Sequence, residues 1–470
     1  MKRFKNVLLI LCDQLRADFL GVYGGPNITP NIDSLAKNGL VFTKAYTPSP
    51  MCVPARMTML TGMHSLTCPL QIPSSVLTIA DILSNAGFNT AALGKMHMFP
   101  TRGPYGFKEL ILSEDTGTGM FLDDYHPWLA KQGYMEWSHG LDNYDILSVE
   151  NYLPKNKTVT HWNSEQAIKF LKKQKNTSRP FYLVTSFVKP HPPYDPVASW
   201  SKLVNSKDTP LPIGLKRPWK DYPEVVRLWA QAVGYAKISN KIDIRQIRAH
   251  YLGLVAQIDY EIGRIIATLE ESNLEKDTLI VFSSDHGDFL GDHNLFMKFF
   301  AYESSARIPL IIKGPGIPKG LSSIPVSILD FVPTLLDFCE QKIPVQCQGE
   351  SILKLLDENG KSRKGVLIST THGNALCWAT RRYKYTFWPN GEEELFDLET
   401  DPYEIKNIAK ENPKLKNKLK NELIVELERF NKKRVKTILP LLKNKKLKKG
   451  EIDYNDFVDM SKRFVQHKAI

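Results

Sequence analysis

Polar residues of the types that bind metals or transfer protons follow four short apolar segments of this sequence. They are Asp13 with Gln14, Lys95 with His97, His191, and Asp285 with His286. In an open α/β sheet, ligands bind outside the carboxyl ends of the strands, so these side chains are expected to converge on one cleft. One carboxylate at a strand end is usually a helix cap, but four strand ends that carry Asp, His and Lys together favour a functional site.

Several of these side chains form an oxygen-rich set that is suited to a metal ion. Asp13 and Asp285 offer carboxylates, Gln14 offers a carbonyl oxygen and His286 offers one nitrogen. Such a set favours a hard cation, Ca²⁺, Mg²⁺ or Mn²⁺, over zinc. The spacing of the residues does not choose among these three ions.

The segment Cys52-Val-Pro-Ala-Arg56 is the most informative stretch of the chain. A helix is expected over residues 57–61, and Pro54 suits its first turn. Cys52 would then lie at a helix N-terminus, where backbone N–H groups attract anions, with Arg56 one turn further along. Two alternatives remain open on the residues alone: a buried structural cysteine, or a plain thiolate nucleophile whose base the sequence does not single out.

The elements that must position these residues indicate a large, mostly parallel sheet sandwiched by helices. Apolar runs at residues 7–11, 90–93, 181–187 and 278–282 are the predicted strands. Between the last two, apolar residues from Ile247 to Leu269 recur at helical spacing. Residues 195–240 are rich in Pro and Trp and are expected to be an irregular insertion.

The texture of the sequence changes near residue 350, where we place the boundary between domains 1–350 and 351–470. Short strands are predicted at residues 366–370, 375–380, 383–388 and 394–398, separated by turn residues. This pattern favours a smaller C-terminal subdomain with an antiparallel sheet. A lysine-rich helical segment follows the sheet.

Composition bounds the remaining possibilities. The chain has 470 residues, 42% of them hydrophobic, and this is enough for a large core. The sequence has no run of about 18 apolar residues, so a transmembrane helix is not expected. The apolar stretch at residues 7–11 runs into polar residues without a signal-peptide cleavage site, so a cytoplasmic protein is expected. Six scattered cysteines without a Cys-x-x-Cys pair suggest neither a zinc site nor a disulfide framework.

The formal charge of +12 comes largely from lysines and arginines in residues 432–449. No aromatic residues are interleaved with them, so a solvated helical face is favoured over a nucleic-acid partner. The basic extension is also long enough to reach a neighbouring subunit, which leaves a homo-oligomer open.

The Cys52–Arg56 segment resembles the Cys-x-Pro-x-Arg signature of type I sulfatases, which belong to the alkaline-phosphatase-like superfamily. The type I sulfatases include choline sulfatases, and the phosphonate monoester hydrolases are closely related to them. The resemblance covers nearly the whole chain. The other matching segments follow in the order of the family: Asn6–Gln14, Thr29–Ala36, Gly94–His97, Pro190-His191, Ser284–Gly287, Lys298, Tyr302-Glu303, Arg307–Leu310 and Glu394–Pro402.

The resemblance implies a set of roles for individual residues. In this family the signature cysteine is oxidised to formylglycine by a maturation enzyme. The resemblance also implies that Asp13, Asp285, His286 and the modified Cys52 hold one divalent cation, most readily Ca²⁺. Gln14 stands where many members have a second Asp ligand, and His286 stands where many have Asn. Both variants resemble those of choline sulfatases and phosphonate monoester hydrolases.

The implied chemistry is hydrolysis of a sulfate ester. A hydrated aldehyde carries two hydroxyls on one carbon, so one can attack sulfur and the other can expel sulfate. The resemblance assigns the base to His97 and the protonation of the leaving oxygen to His191 and Lys298. Lys95 and Arg56, together with the metal, would offset negative charge.

Two other functions compete with this interpretation. A phosphonate monoester or phosphodiester hydrolase would use the same residues. A non-catalytic protein that only grips an oxyanion is disfavoured by the intact Cys52–Arg56 segment. The sequence contains a group of aromatic residues that could contact the organic part of a small substrate: Tyr125, Trp128, Trp137, Trp162 and Trp200. They could form an aromatic box for a quaternary ammonium, or they could pack in the core or in a lid.

Overall fold

A computed structural model describes most of the chain. The described residues are 5–68, 71–114, 122–135, 146, 148–232, 243–358, 361, 363–370, 375–430 and 442. The lysines and arginines of residues 432–449 lie outside them, as does Trp137.

An eight-stranded sheet forms the centre of the larger part of the molecule. The first ten strands of the described residues are β1 Asn6–Asp13, β2 Leu40–Phe42, β3 Ala45–Tyr46, β4 Asn89–Gly94, β5 Glu109–Leu112, β6 Phe181–Pro190, β7 Thr278–Ser284, β8 Leu310–Lys313, β9 Gly320–Ser322 and β10 Val326–Ser327. Its order is β5-β4-β6-β1-β7-β8-β2-β9, and β3 pairs separately with β10. Only β8 runs antiparallel to its neighbours. The predicted mostly parallel sheet is confirmed.

Strand β1 explains why the sheet is covered on both faces. Successive side chains of a strand point to opposite faces. Leu8, Ile10 and Cys12 enter one hydrophobic cluster, and the alternating residues from Val7 to Leu11 enter the other. All eight residues of β1 are buried, as in a parallel sheet between two helical layers.

The helices of the described residues cover the two faces of this sheet or pack in the C-terminal part of the molecule. They are α1 Pro30–Lys37, α2 Cys52–Thr61, α3 Ile79–Asn85, α4 Tyr125–Lys131, α5 Val159–Gln174, α6 Ala198–Ser201, α7 Glu224–Ala232, α8 Ile244–Glu271, α9 Glu303–Ala306, α10 Phe331–Phe338, α11 Ile352–Asp357 and α12 Pro413–Glu428. The helix predicted from Ile247 to Leu269 is α8, and Asp243 caps its N-terminus. No helix among the described residues is long and apolar enough to cross a membrane.

A four-stranded antiparallel sheet forms the C-terminal part, as the turn-separated runs predicted. Its strands pair in chain order and are β11 Gly365–Ser369, β12 Leu376–Thr380, β13 Tyr383–Phe387 and β14 Glu393–Asp397. Helix α12 packs on it through Leu419, Leu423 and Leu427. The domain boundary at residue 350 remains a prediction.

Candidate active site

Four buried side chains meet at the carboxyl end of the central sheet. One ligand atom from each of Asp13, Cys52, Asp285 and His286 lies within 4.8 Å of the others. Strands β1 and β7 pair in parallel with Cys12 opposite Ser284, so the carboxylates that follow them come together. Helix α2 begins at Cys52 and brings the sulfur to the same point.

The chemistry of these side chains fits a divalent cation. The Nδ1 atom of His286 lies 2.9 Å from the carbonyl oxygen of Gly287, which can only accept, so Nε2 keeps its lone pair toward the site. Burial lowers the pKa of His286, which favours the neutral ligand form. Its Nε2 atom is 3.1 Å from Cys52 Sγ and 3.8 Å from Asp13 Oδ1. Two carboxylates and one imidazole nitrogen would hold a hard or borderline ion.

Lys95 neutralises part of the negative charge at Asp13. Its Nζ atom lies 2.6 Å from Asp13 Oδ2, and neither side chain is exposed. Burial raises the pKa of Asp13, but the positive charges of Lys95, His191 and Arg56 outweigh it and hold that pKa well below its usual range. Gly94 has φ +100°, and a Cβ there would clash with the Ser186 carbonyl oxygen, so the turn before Lys95 requires glycine.

Arg56 joins helix α2 to both strand ends. Its Nε atom donates to Asp285 Oδ2 at 2.8 Å, and Nη2 lies 3.4 Å from Asp13 Oδ2. Its Nη1 atom donates to the Lys95 carbonyl at 2.5 Å and to Ser186 Oγ at 2.9 Å. The guanidinium is therefore fixed in place and compensates both carboxylates.

Lys298 is the basic residue nearest to the cysteine sulfur among the described contacts. Its Nζ atom lies 3.0 Å from Cys52 Sγ and donates to Gln14 Oε1 at 2.7 Å. Burial lowers the pKa of Lys298, but the negative charges of Cys52 and Asp13 raise it by a larger amount. The net pKa of Lys298 is therefore above its usual value. The ammonium is positioned to face a charged group at Cys52.

Gln14 has a left-handed backbone, with φ 69°, directly after β1. Its N–H donates to Asp285 Oδ1 at 3.0 Å and its carbonyl accepts from Tyr251 at 2.7 Å. A non-glycine residue held in this region indicates a site where surrounding contacts offset backbone strain. The metal-ligand role of Gln14 remains a prediction.

The two predicted proton-transfer histidines lie at the ends of neighbouring strands. His97 has φ 54° and its N–H donates to Glu114. His191 is buried after β6, with Nδ1 2.9 Å from the Pro192 carbonyl oxygen, and its charge acts on Asp13. Their roles in proton transfer remain predictions.

Sequence reasoning did not single out two buried carboxylates beside the site. Glu114 accepts from the N–H groups of Met96 and His97, each at 3.0 Å from Oε1. Asp288 accepts from the side chain of Gln14. Asp288 follows the segment that ends β7, so the same strand-end rule that selected Asp285 would have found it.

The aromatic residues proposed as a cation box pack with each other and with lysines of the chain. Tyr125 and Trp128 have ring centroids 5.5 Å and 6.3 Å from Trp162. Lys157 lies 5.1 Å from the Trp128 ring, and Lys155 lies 5.0 Å from the Trp200 ring. These contacts favour packing for the four described aromatic residues.

Two family models match the chain in overlapping segments. Residues 5–340 match the Sulfatase family. Residues 291–433 match the family described as N-sulphoglucosamine sulphohydrolase, C-terminal.

Related proteins align along most of their own length. An arylsulfatase of Clostridium perfringens is 33% identical over 460 residues, covering 90% of this chain and 94% of that protein. A choline-sulfatase of Rhizobium meliloti is 30% identical over 441 residues, covering 87% and 83%. PehA of Trinickia caryophylli, a multifunctional alkaline phosphatase superfamily protein, is 29% identical over 480 residues, covering 86% and 91%.

Solved structures share the fold over a similar extent. A phosphonate monoester hydrolase from Silicibacter pomeroyi has a TM-score of 0.76 at 22% identity and covers 90% of this chain and 95% of its own. The putative sulfatase yidJ from Bacteroides fragilis has a TM-score of 0.72 at 25% identity, covering 93% and 98%. The family match, the relatives and the buried four-residue centre agree: the chain belongs to the sulfatase family of alkaline-phosphatase-like proteins and is a sulfuric ester hydrolase.

Proposed function

We propose that the protein hydrolyses a small sulfate ester to an alcohol and inorganic sulfate, with a formylglycine made from Cys52 and one divalent cation. The observation that carries this proposal is the position of Cys52. Its sulfur lies 3.1 Å from His286 Nε2 and 3.0 Å from Lys298 Nζ, inside the four-residue centre. A structural cysteine has no need of such neighbours.

The cation would be held by Asp13, Asp285, His286 and the modified Cys52, with the Gln14 carbonyl oxygen as a further ligand. When bound, it would act as a Lewis acid toward sulfuryl oxygens and toward a hydroxyl at position 52. Ca²⁺ suits the oxygen-rich set best, and Mn²⁺ or Mg²⁺ are the alternatives that elemental analysis of the purified protein separates.

A hydrated aldehyde at position 52 would supply one hydroxyl to attack sulfur and a second whose deprotonation expels sulfate and restores the aldehyde. Asp285 is the proposed acceptor for the proton of the attacking hydroxyl, and His97 is the proposed base for the second. His191 and Lys298 would bind the ester and protonate the leaving alcohol oxygen. Lys95 and Arg56 hold the carboxylates of the centre and offset charge nearby.

The proposal implies a maturation enzyme that oxidises Cys52, and it extends to a cytoplasmic location and a small imported substrate. The modification is tested on protein made in its native host by the mass of the tryptic peptide covering residues 45–56. Loss of sulfur and two hydrogens together with gain of one oxygen supports formylglycine. A peptide that retains an unmodified thiol in active protein would refute it.

The reaction is tested by comparing kcat/KM for an aryl sulfate and an aryl phosphonate monoester, on protein whose Cys52 is confirmed as modified. A strong preference for the sulfate is expected. Gln14 and His286 also suit a phosphonate monoester or phosphodiester hydrolase, so a strong preference for the phosphonate would replace the proposed substrate and keep the site.

A further inference from the structure

The side chain of Gln14 is held from both ends by groups of opposite hydrogen-bonding character. Its Nε2 atom donates to Asp288 Oδ2 at 2.6 Å, and its Oε1 atom accepts from Lys298 Nζ at 2.7 Å. An ammonium can only donate, so Lys298 fixes which end of the amide is oxygen, and the NH₂ of the amide then faces Asp288. Gln14 therefore turns its carbonyl oxygen toward Lys298, which also contacts Cys52.

Asp288 is itself locked by the fold. It is completely buried, and its Oδ2 atom accepts a second hydrogen bond from the Tyr194 hydroxyl at 2.7 Å. Its Oδ1 atom accepts from the backbone N–H of Leu290 at 3.0 Å. Asp288 is not among the four residues whose ligand atoms converge at the centre. Its hydrogen bonds instead tie the Gln14 amide to the backbone of the loop after β7.

We infer that Asp288 is a positioning residue that orients Gln14, so that position 14 presents an uncharged carbonyl oxygen to the cation centre. This inference rests on the proposed function, because it assumes that a divalent ion binds at Asp13, Asp285 and His286. Partners of metal ligands typically change metal affinity by about 10–100-fold when they are removed.

The geometry makes a specific prediction for Asp288→Asn. The new amide has one oxygen and one NH₂ where the carboxylate accepts from Leu290 on one side and from Gln14 on the other. Either placement of the NH₂ opposes another donor, unless the Gln14 amide turns over. Turning it over directs the NH₂ of Gln14 toward Lys298 and the cation, which weakens metal binding.

A second substitution reverses this effect by exchanging the polarity of the pair. In Gln14→Glu/Asp288→Asn, the amide oxygen introduced at position 288 still accepts from Leu290, and the NH₂ of that amide donates to the carboxylate introduced at position 14. The other oxygen of this carboxylate still accepts from Lys298. Both hydrogen bonds of the side chain at position 14 are retained, the one to position 288 with donor and acceptor exchanged, so metal binding returns.

The experiment measures the metal retained by the holoenzyme during dialysis against graded chelator, for the four proteins of this double-mutant cycle. Asp288→Asn is expected to need about tenfold less chelator than the wild type to lose its ion, and the double variant should return to within about twofold. Tyr194→Phe is the matched control: it removes the other hydrogen bond to Asp288 Oδ2 and should change retention by no more than about twofold.

Each contrary result has a distinct meaning. Equal retention by Asp288→Asn and the wild type would overturn the inference. So would a double variant that stays weak, or a gain from Gln14→Glu that is the same in both backgrounds. If Asp288→Asn does not fold, the folded double variant still decides the matter through its retention. Wild-type protein that neither hydrolyses sulfate esters nor retains a divalent ion would overturn the proposed function as well.

Discussion

Lys95 and Asp13 form an ion pair with no exposed surface, in which Nζ lies 2.6 Å from Oδ2. Lys95 follows β4 and Asp13 ends β1, and these strands are separated in the sheet only by β6. Asp13 also lies within the four-residue centre. Lys95 therefore compensates the negative charge of the buried Asp13 carboxylate, whether or not a cation is bound.

Lys95→Ala should lower the free energy of unfolding by about 3–5 kcal/mol, because it leaves the buried Asp13 carboxylate short of a partner. Added Ca²⁺ should recover more stability in the variant than in the wild type, since the ion then offsets the same charge. Denaturant unfolding with and without Ca²⁺ measures both effects. Lys173→Ala, which removes a largely exposed partner of Glu109, should cost less than about 1 kcal/mol. Equal effects of the two substitutions would contradict the prediction.

Cys52→Ala should abolish turnover, with a loss of about 10⁴-fold or more, and should leave the fold intact. The substitution removes only one sulfur atom from the start of α2, so circular dichroism and the melting temperature should stay close to those of the wild type. Cys339→Ala provides a control, because Cys339 is equally buried but lies at the end of α10. A folded Cys52→Ala protein with near-normal activity would refute the proposed mechanism.

Glu114→Ala should reduce kcat by about tenfold or more if Glu114 positions His97, since two backbone N–H groups lose their buried acceptor. Glu114→Gln keeps an acceptor oxygen and should lose less. Adding Glu114→Ala to His97→Ala should cause little further loss in kcat. Multiplicative losses in the double variant would show that Glu114 acts independently of His97.

Glu404 should give the stability of the fold a measurable pH dependence. Burial raises the pKa of this carboxyl to about 7, against the opposing charge of Lys384. A folded-state pKa above the unfolded value means that the native state binds more protons between about pH 4.5 and 7, so stability falls as pH rises through that window. The contribution is on the order of 3 kcal/mol.

The comparison of Glu404→Gln with the wild type isolates this contribution. The variant lacks the titration, so its unfolding free energy relative to the wild type should rise between about pH 5 and pH 7.5. Glu411→Gln, at an exposed site paired with Lys406, should run parallel to the wild type. A parallel profile for Glu404→Gln would exclude the raised pKa.

The long elements were predictable from the sequence because their hydrophobic patterns repeat often enough to be distinctive. Strand β1 and helix α8 are examples, and parallel pairing then places Asp13 beside Asp285. Strands β2 and β9 have three residues each, which is too short for a period to be recognised. Their place in the sheet depends on contacts far away in the chain.

The residue types of the site could be predicted, but the buried acceptor beside His97 could not. Glu114 acts through the backbone N–H groups of Met96 and His97, and no side-chain pattern reveals such a partner. The aromatic residues illustrate the converse. They cluster in the sequence, but in the structure Lys157 lies over the Trp128 ring and Lys155 over the Trp200 ring. Cations of the chain itself therefore contact these two rings.

The burial of helix α2 has a consequence for when the protein can mature. All ten of its residues are buried in the folded chain, including Cys52. The proposed maturation enzyme would need this segment in its own active site, which the finished fold prevents. During synthesis, residue 52 leaves the ribosome long before β6 and β7 exist to form the centre of the sheet around it. We therefore expect the proposed oxidation of Cys52 to take place on the nascent chain. The fraction of active enzyme would then depend on the rate of oxidation relative to the rate of folding.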